Sequence, residues 1–306
     1  MSQSPWKDPN IWAGLNNPDL ATAEADVAIF GIPFDGSVSF RSGAKDAPDA
    51  LRNITYTISP TTEEFQSFAD LGIKDLGNIT GSTRDAVFAQ ARALTADLVR
   101  TNTFFIMIGG DHSVTIPVHQ GIDDALDEPF GIIHIDAHFD LCNDHGGDRF
   151  SHGATERRAL ELKNLKGIED IFFLGIRSIE SDELEFFNAN SVQVVSAKDI
   201  AQNGTATALT RLKKQLGHLN KIYLTLDIDC LDPAYAPGTG TPQFGGLTSR
   251  ELLELVEGIF DLPVMGMDIV EVAPKLDDTL TSVFAARKLV TEVFGFIHKK
   301  TIHPTK

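Results

Sequence analysis

The sequence has few cysteines, no long apolar run and no secretion signal at its start. Cys142 and Cys230 are the only cysteines among 306 residues and form no C-x-x-C pair, so we expect neither a disulfide framework nor a zinc–thiolate site. No run approaches the roughly 18 consecutive apolar residues of a membrane span. The first residues, MSQSPWKDPN, lack the basic-then-apolar order of a secretory signal. We therefore expect a cytoplasmic protein.

Basic residues are also scarce. Lys and Arg number 26 against 43 Asp and Glu, which gives a formal net charge of −17. Such a chain lacks the cationic surface that nucleic-acid binding needs, so we predict neither a nucleic-acid nor a membrane partner. An acidic surface also raises the rate at which a cationic substrate meets the protein.

Short apolar runs alternate with amphipathic stretches from about residue 26 to the end. The runs are apolar throughout, which indicates strands buried on both faces of a parallel sheet. The predicted strands are residues 27–32, 103–108, 131–136, 171–175, 192–195, 221–227 and 264–269. The predicted helices are residues 84–100, 154–163, 205–216, 250–260 and 282–296. This alternation predicts a single α/β domain over residues 25–306, preceded by an irregular arm, residues 1–24, on the surface or in a subunit contact.

Three predicted strands end in acidic or imidazole side chains, at the edge of a parallel sheet where ligands bind. The strongest motif is HIDAHFD, in which Asp136, His138 and Asp140 follow an apolar run at every second position. In extended backbone these side chains project to one side. Two carboxylates crowded around an imidazole repel each other unless a cation lies between them. We therefore interpret this motif as a metal site rather than as a hydrogen-bonded strand end.

The other two motifs are LTLDIDCLDP, with Asp227 and Asp229, and MIGGDHSV, with His112. Taken alone, the aspartate pair of LTLDIDCLDP could cap a helix, and the histidine of MIGGDHSV could be structural. Together the three motifs offer six ligands, which exceeds the need of one divalent ion, so we predict two neighbouring ions with a shared carboxylate and water. Oxygen-rich ligands without thiolate favour Mn2+, with Ni2+ or Co2+ as alternatives.

In their order and spacing along the chain, the three motifs resemble the signature motifs of the ureohydrolase family. This family comprises arginases, agmatinases and guanidino-acid hydrolases. Residues 31–52 and 281–296 are similar to further family segments, and APGTGTP at residues 236–242 is similar to the agmatinase branch. The resemblance implies a single-domain three-layer α/β/α arginase-like fold with a central parallel sheet of about eight strands. It also implies a homo-oligomer, either a trimer or a hexamer.

The resemblance further implies a role for each site residue. The two ions would be held by His112, Asp136, His138, Asp140, Asp227 and Asp229. Glu271 would pair with the guanidinium of the substrate, since a carboxylate suits a planar cation with forked donors. His152 would shuttle protons, and Asp140 would take the proton of the attacking hydroxide. His134 would be a packed histidine behind the ligands. The expected products are urea and a primary amine, with no organic cofactor.

The sequence departs from the usual agmatinase pattern around the expected pocket. Phe139 replaces a usual Thr, Glu156 lies where small-Pro/Met-Phe is usual, and Gln243 replaces a more usual Glu or Val. We expect Phe139 to narrow or reshape the pocket and Glu156 to meet either a distal amine of the substrate or solvent. Specificity should lie in residues 141–151 and in the segment after His152. Agmatine leads the candidate substrates, followed by 4-guanidinobutyrate, 3-guanidinopropionate and small guanidines or biguanides.

Other substrates and protein classes stay open. A carboxylate-bearing substrate would need a cation near the pocket mouth, for which the candidates are Arg41, Arg149 and Arg157. A mononuclear zinc amide hydrolase would hold one ion per subunit instead of two. A non-catalytic subunit that keeps the fold, for example in a hetero-oligomer with a paralogue, would release no urea by itself. Metal counting and a urea assay separate these possibilities.

Overall fold

Eight parallel strands form one sheet in the computed structural model, which describes residues 5–302. The strands are β1 (Val27–Gly31), β2 (Ile73–Asn78), β3 (Phe104–Ile108), β4 (Gly131–Ile135), β5 (Ile171–Leu174), β6 (Gln193–Val195), β7 (Ile222–Leu226) and β8 (Val264–Ile269). Their order across the sheet is β2-β1-β3-β8-β7-β4-β5-β6. Every neighbouring pair runs parallel, as the sequence predicted.

Helices cover both faces of the sheet. Within the described residues they are α1 (Ile11–Gly14), α2 (Ala47–Thr55), α3 (Arg84–Arg100), α4 (Thr115–Ala125), α5 (Thr155–Ala159), α6 (Ser181–Ala189), α7 (Ala197–Asn203), α8 (Thr205–Leu216), α9 (Ser249–Ile259) and α10 (Thr281–Ile302). One apolar cluster joins the sheet to α1, α2 and α7 to α10. A second cluster on the opposite face joins it to α3 to α6. The three-layer α/β/α architecture predicted from the sequence is confirmed.

Continuous burial explains why the sequence predicted β1, β3, β4 and β7. Every residue of β1, β3, β4 and β7 is buried, which matches their largely apolar sequences. The edge strand β2 instead alternates buried and partly exposed positions, so the search for apolar runs missed it. Its Asp75 is buried because Arg52 Nε lies 2.7 Å from Asp75 Oδ2, and both side chains are fully inaccessible. A buried ion pair thus occupies one of the inward positions of β2.

Two predicted helices differ from the structure by more than one residue at an end. The predicted helix 154–163 is helical only over Thr155–Ala159. It ends early because the backbone N–H groups of Lys163 and Asn164 donate to the Asp123 carboxylate, at 3.3 and 2.8 Å, rather than to a helical carbonyl. The last helix is longer than predicted and extends to Ile302.

The segment before β1 packs on the domain through Trp12. This side chain is fully buried and meets Phe294 of α10 edge to face, with ring centroids 6.2 Å apart. Its Nε1 donates to Asp75 Oδ2 at 2.7 Å. The division of the chain at residue 24 stays a prediction, and residues 1–4 of the predicted arm and 303–306 of the predicted domain lie outside the described residues. Among the described helices, none combines the length and apolarity required to cross a membrane.

Candidate metal centre

The carboxyl ends of β3, β7 and β4 lie close together at one edge of the sheet. In the sheet order these strands are neighbours, with only β8 between β3 and β7. After β3 the chain turns through Gly110 into a short 3-10 turn, His112–Val114. A Cβ on Gly110 would lie 1.7 Å from the carbonyl oxygen of Phe34, so glycine is required here. A second 3-10 turn, Ile228–Cys230, follows β7, and β4 ends directly before Asp136.

His112 is the centre of the first group of candidate ligands. Its Nδ1 lies 3.0 Å from Asp140 Oδ2 and 3.1 Å from Asp136 Oδ2. Asp227 Oδ2 is 3.4 Å from the same nitrogen. Within residues 5–302, neither His112 Nδ1 nor Asp136 Oδ2 has a hydrogen-bond partner, although both are buried. Buried polar atoms without partners are costly, and one divalent ion between them would satisfy all four side chains.

His138 is the centre of a second group. Its Nδ1 lies 3.4 Å from Asp136 Oδ1 and 3.2 Å from Asp229 Oδ2. The ligand atoms of these three residues all lie within 4.8 Å of one another. Asp136 therefore directs one carboxylate oxygen to each group, which is the geometry of a carboxylate shared between two ions. The structure brings together all six side chains that the sequence singled out.

The backbone that carries these side chains differs from the prediction. Residues 136–140 were expected to be extended, but β4 ends at Ile135 and the following residues bend. Asp140 adopts a left-handed conformation with φ of 54°, which turns its carboxylate back toward His112. Its carbonyl oxygen accepts from the backbone N–H of Glu156 at 2.9 Å. Side chains meet here through a strained turn, a conformation that is common at functional sites.

Thr225 and Asp268 set the orientation of His112, and the sequence analysis missed both. Thr225 Oγ1 lies 2.8 Å from His112 Nε2 and 2.8 Å from Asp268 Oδ1. Because the hydroxyl donates to the carboxylate, it accepts from His112 Nε2–H and leaves the lone pair of Nδ1 facing the carboxylates. The available signal in the sequence was an aspartate within the otherwise apolar β8, VMGMDI.

The crowded acids change the protonation of their neighbours. Burial, together with the charges of Asp229 and Asp136, raises the pKa of Asp227 well above its usual value. Burial lowers the pKa of His138, but Asp229 and Asp136 outweigh it and raise that pKa to about 12. The carboxylates therefore require positive charge beside them, which either imidazole protons or metal ions supply.

His152 and Glu271 form a pair beside the candidate ligands. His152 Nδ1 lies 3.1 Å from Glu271 Oε1, which also accepts from the backbone N–H of His112 at 3.0 Å. The backbone N–H of Ser39 donates to His152 Nε2 at 3.1 Å, so Nδ1–H donates to Glu271. Burial lowers the pKa of His152, but Glu271 outweighs it and raises that pKa to about 9. The bond from Ser39 requires an Nε2 without a proton, so the ring is the neutral imidazole in this arrangement, with Glu271 fixing its orientation. The charge of Glu271 also favours proton uptake at Nε2, which would break the bond from Ser39.

A cavity of about 140 Å3 opens above these groups. Its lining comprises Ser39, His138, Asp140, Cys142, His145, His152, Gly153, Ser178, Ile179, Glu180, Glu183, Asp227, Thr241 and Gln243. Among the described residues, four acids and neither Lys nor Arg belong to this lining. Burial raises the pKa of Glu183 to about 7, and the charges of Asp140 and Asp182 act in the same direction. The cavity is thus small and acidic.

The three arginines considered for a carboxylate substrate are engaged elsewhere. Arg41 donates to the carbonyl oxygens of Thr239 and Gly240. Arg149 pairs with Glu161, with Arg149 Nη2 2.6 Å from Glu161 Oε1. The guanidinium of Arg157 lies over the Phe186 ring, 4.3 Å from its centroid.

Two of the predicted specificity residues lie outside the cavity. Phe139 does not narrow the pocket, because its side chain is 5% exposed and packs in the core against Phe173, with ring centroids 5.2 Å apart. Glu156 meets neither a substrate amine nor solvent. It is fully buried beneath the centre, with Oε1 3.1 Å from His134 Nδ1. Gln243 lines the cavity.

Comparison with known proteins agrees with this geometry. The model of the arginase family matches residues 25–295. An agmatinase of Chromobacterium violaceum is 34% identical over 92% of this chain and 86% of its own, and the human mitochondrial guanidino acid hydrolase is 32% identical over 90% and 79%. The solved structure of proclavaminate amidino hydrolase from Streptomyces clavuligerus is 29% identical and superposes with a TM-score of 0.86 over 97% of this chain and 99% of that one. The chain therefore belongs to the arginase family, as its motifs predicted.

Proposed function

We propose that this chain is a two-metal ureohydrolase that cleaves agmatine to urea and the corresponding diamine. The observation that carries the proposal is the convergence of three strand ends on His112 and His138, with Asp136 directing one oxygen to each. The identity to an agmatinase over most of the chain supports the same reaction.

One ion would be held by His112, Asp136, Asp140 and Asp227, and the other by His138, Asp136 and Asp229. Mn2+ is the proposed metal because oxygen ligands predominate and no thiolate belongs to either group. Two such ions would lower the pKa of a shared water to about 7, so that hydroxide is available near neutrality.

The protein side chains would orient the substrate and move protons. Asp140 lines the cavity beside the candidate ligands, where its carboxylate can accept the proton of the nucleophile. His152 lines the same cavity and is held by Glu271, so it can return a proton to the leaving amine. The predicted pairing of Glu271 with the substrate guanidinium stays a prediction. We propose that Glu271 also acts through His152, since its side chain is 2% exposed and does not belong to the cavity lining.

The acidity of the cavity supports a substrate that is cationic at both ends. A guanidino acid would bring its carboxylate toward Glu180 and Glu183, with neither Lys nor Arg in the described lining to neutralise it. Agmatine instead carries a distal ammonium, which these carboxylates would attract. This contrast favours agmatine over 4-guanidinobutyrate and 3-guanidinopropionate.

The purified protein, reconstituted with Mn2+, Ni2+, Co2+ or Zn2+, tests the proposal by urea release from agmatine, the two guanidino acids, guanidine and biguanide. We expect agmatine to have the highest kcat/KM, with Mn2+ the best metal. A higher kcat/KM for a guanidino acid would contradict the substrate assignment. Urea release from none of them would favour a non-catalytic subunit.

We also propose that the chain acts in the cytoplasm as a homo-oligomer, either a trimer or a hexamer. Phe40 and Phe244 support an assembly because they are 76% and 87% exposed, and each is adjacent in the chain to a cavity-lining residue. Light scattering of the purified protein measures the subunit number. A monomer that releases urea at full rate would contradict the assembly, and activity that requires a second polypeptide would indicate a hetero-oligomer.

A further inference from the structure

Glu156 is a buried acid that the proposed reaction does not use. It lies in α5, has no exposed surface, and directs Oε1 to His134 Nδ1 at 3.1 Å. Its Oε2 is buried without a hydrogen-bond partner among residues 5–302. An isolated carboxylate in such a position is expensive, so its contact with His134 needs a structural or functional reason.

His134 connects Glu156 to the candidate metal ligands. Its Nε2 lies 3.0 Å from the carbonyl oxygen of His138 and 3.2 Å from Asp136 Oδ2. Its ring lies parallel to the ring of His112, with centroids 5.2 Å apart and an interplanar angle of 2°. One imidazole ring therefore contacts three residues that carry candidate ligand atoms.

Both nitrogens of His134 face an oxygen of another residue, which excludes His134 as a metal ligand in this orientation. The carbonyl oxygen of His138 can only accept, so His134 Nε2 must carry a proton to bond it. Nδ1 then either donates to the Glu156 carboxylate or accepts from a protonated Glu156. In both arrangements Glu156 allows the bond from His134 to the His138 carbonyl.

We propose that Glu156 is a positioning residue for the metal centre: its hydrogen bond fixes the His134 ring, and that ring holds the His138 backbone, beside Asp136, in the geometry that binds the ion next to His138. The inference rests on the proposed metal centre and adds a residue beneath it that touches neither ion nor substrate. Partners of this kind behind metal ligands alter metal affinity by about 10- to 100-fold when they are removed.

Two substitutions at position 156 separate hydrogen bonding from bulk. Glu156→Met keeps a side chain of similar length but leaves His134 Nδ1 without a partner. Glu156→Gln retains an N–H that can donate to Nδ1, so His134 Nε2–H still bonds the His138 carbonyl. We expect Glu156→Met to weaken Mn2+ binding about 10- to 100-fold and to change the visible spectrum of the Co2+-loaded protein. We expect Glu156→Gln to restore both to near the wild-type values.

Asp75→Asn is the matched control, because Asp75 is also a fully buried carboxylate but contacts Arg52 and Trp12, far from the ligands. We expect it to lower thermal stability while Mn2+ affinity and the Co2+ spectrum stay unchanged. If Glu156→Met does not fold, Glu156→Asp replaces it, since the shorter side chain draws the carboxylate away from Nδ1 and should also weaken binding.

Three results would overturn the inference: unchanged Mn2+ affinity in the folded Glu156→Met or Glu156→Asp variant, equal weakening by Glu156→Gln and Glu156→Met, or equal weakening by Asp75→Asn. The number of ions that the wild-type protein binds shows whether only the role of Glu156 fails or the proposed metal centre fails too. If the wild-type protein binds two ions and the variants bind as well, only the role of Glu156 is wrong. If the wild-type protein binds fewer than two ions, the proposed centre fails as well.

Discussion

Replacing Thr225 by Val tests whether the Asp268–Thr225–His112 chain prepares His112 for metal binding. The two side chains have nearly the same shape, but Val removes the hydroxyl that lies 2.8 Å from both His112 Nε2 and Asp268 Oδ1. His112 is 1% exposed, so its Nε2–H would lose its partner without gaining water. Leaving such a group unsatisfied costs about 1–3 kcal/mol.

The imidazole can avoid this cost by moving its proton to Nδ1, the atom that faces the three carboxylates. That tautomer cannot bind a metal ion through Nδ1, so part of the cost becomes a loss of metal affinity. We expect Mn2+ to bind about 10- to 100-fold more weakly to Thr225→Val, equivalent to about 1.4–2.8 kcal/mol. At saturating Mn2+, kcat should return to near the wild-type value.

Thr115→Val is a close control for Thr225→Val. Thr115 is also fully buried, and its Oγ1 donates to the same carboxylate, at 2.8 Å from Asp268 Oδ2. Its backbone N–H bonds the His112 carbonyl, which the substitution keeps, and no hydrogen bond joins its side chain to the His112 imidazole among the described residues. Competition of Mn2+ with a fluorescent chelator measures both affinities. Wild-type affinity in Thr225→Val, or an equal loss in Thr115→Val, would refute the reasoning.

Three further predictions concern the centre and the fold. Asp229→Asn should remove one ion per subunit and abolish urea release, because Asn lacks the charge that Asp229 brings to His138; two bound ions by elemental analysis, or full activity, would contradict the ligand role. Gly110→Ala should lower the yield of folded protein, since its Cβ would clash with the carbonyl oxygen of Phe34; an unchanged melting temperature would show that the turn can relax. Asp75→Asn should lower the free energy of unfolding by about 3–5 kcal/mol, because Arg52 would keep an uncompensated buried charge; denaturant titration measures it, and a loss below 1 kcal/mol would count against this estimate.

The sequence predicted those parts of the fold that depend on continuous local patterns. Strands buried on both faces are mostly apolar, so β3, β4 and β7 stood out along the chain although β4 contains His134 and β7 contains Thr225. The edge strand β2 did not stand out, because its inward positions include Asp75. The burial of Asp75 depends on Arg52, which lies in another element, α2. A pattern of apolar residues cannot predict an ion pair between residues of two different elements.

The candidate site shows the same division. Acids and imidazoles at strand ends were predictable, because parallel strands bring their carboxyl ends together. The direction in which a side chain points after the end of the strand was not predictable. Phe139 lies in the motif between two ligand positions, yet it points into the core, because the chain bends after Ile135 and Asp140 adopts a positive φ. Glu156 was expected to meet a substrate amine or solvent, but α5 directs its side chain beneath the centre, against His134.

The most direct test of the two-metal centre is a crystal structure of the Mn2+-loaded protein with anomalous diffraction measured at the manganese absorption edge. We expect two anomalous peaks about 3.5–4 Å apart, one beside His112 and the other beside His138, with Asp136 reaching both. A single peak, or peaks away from these two histidines, would contradict the account.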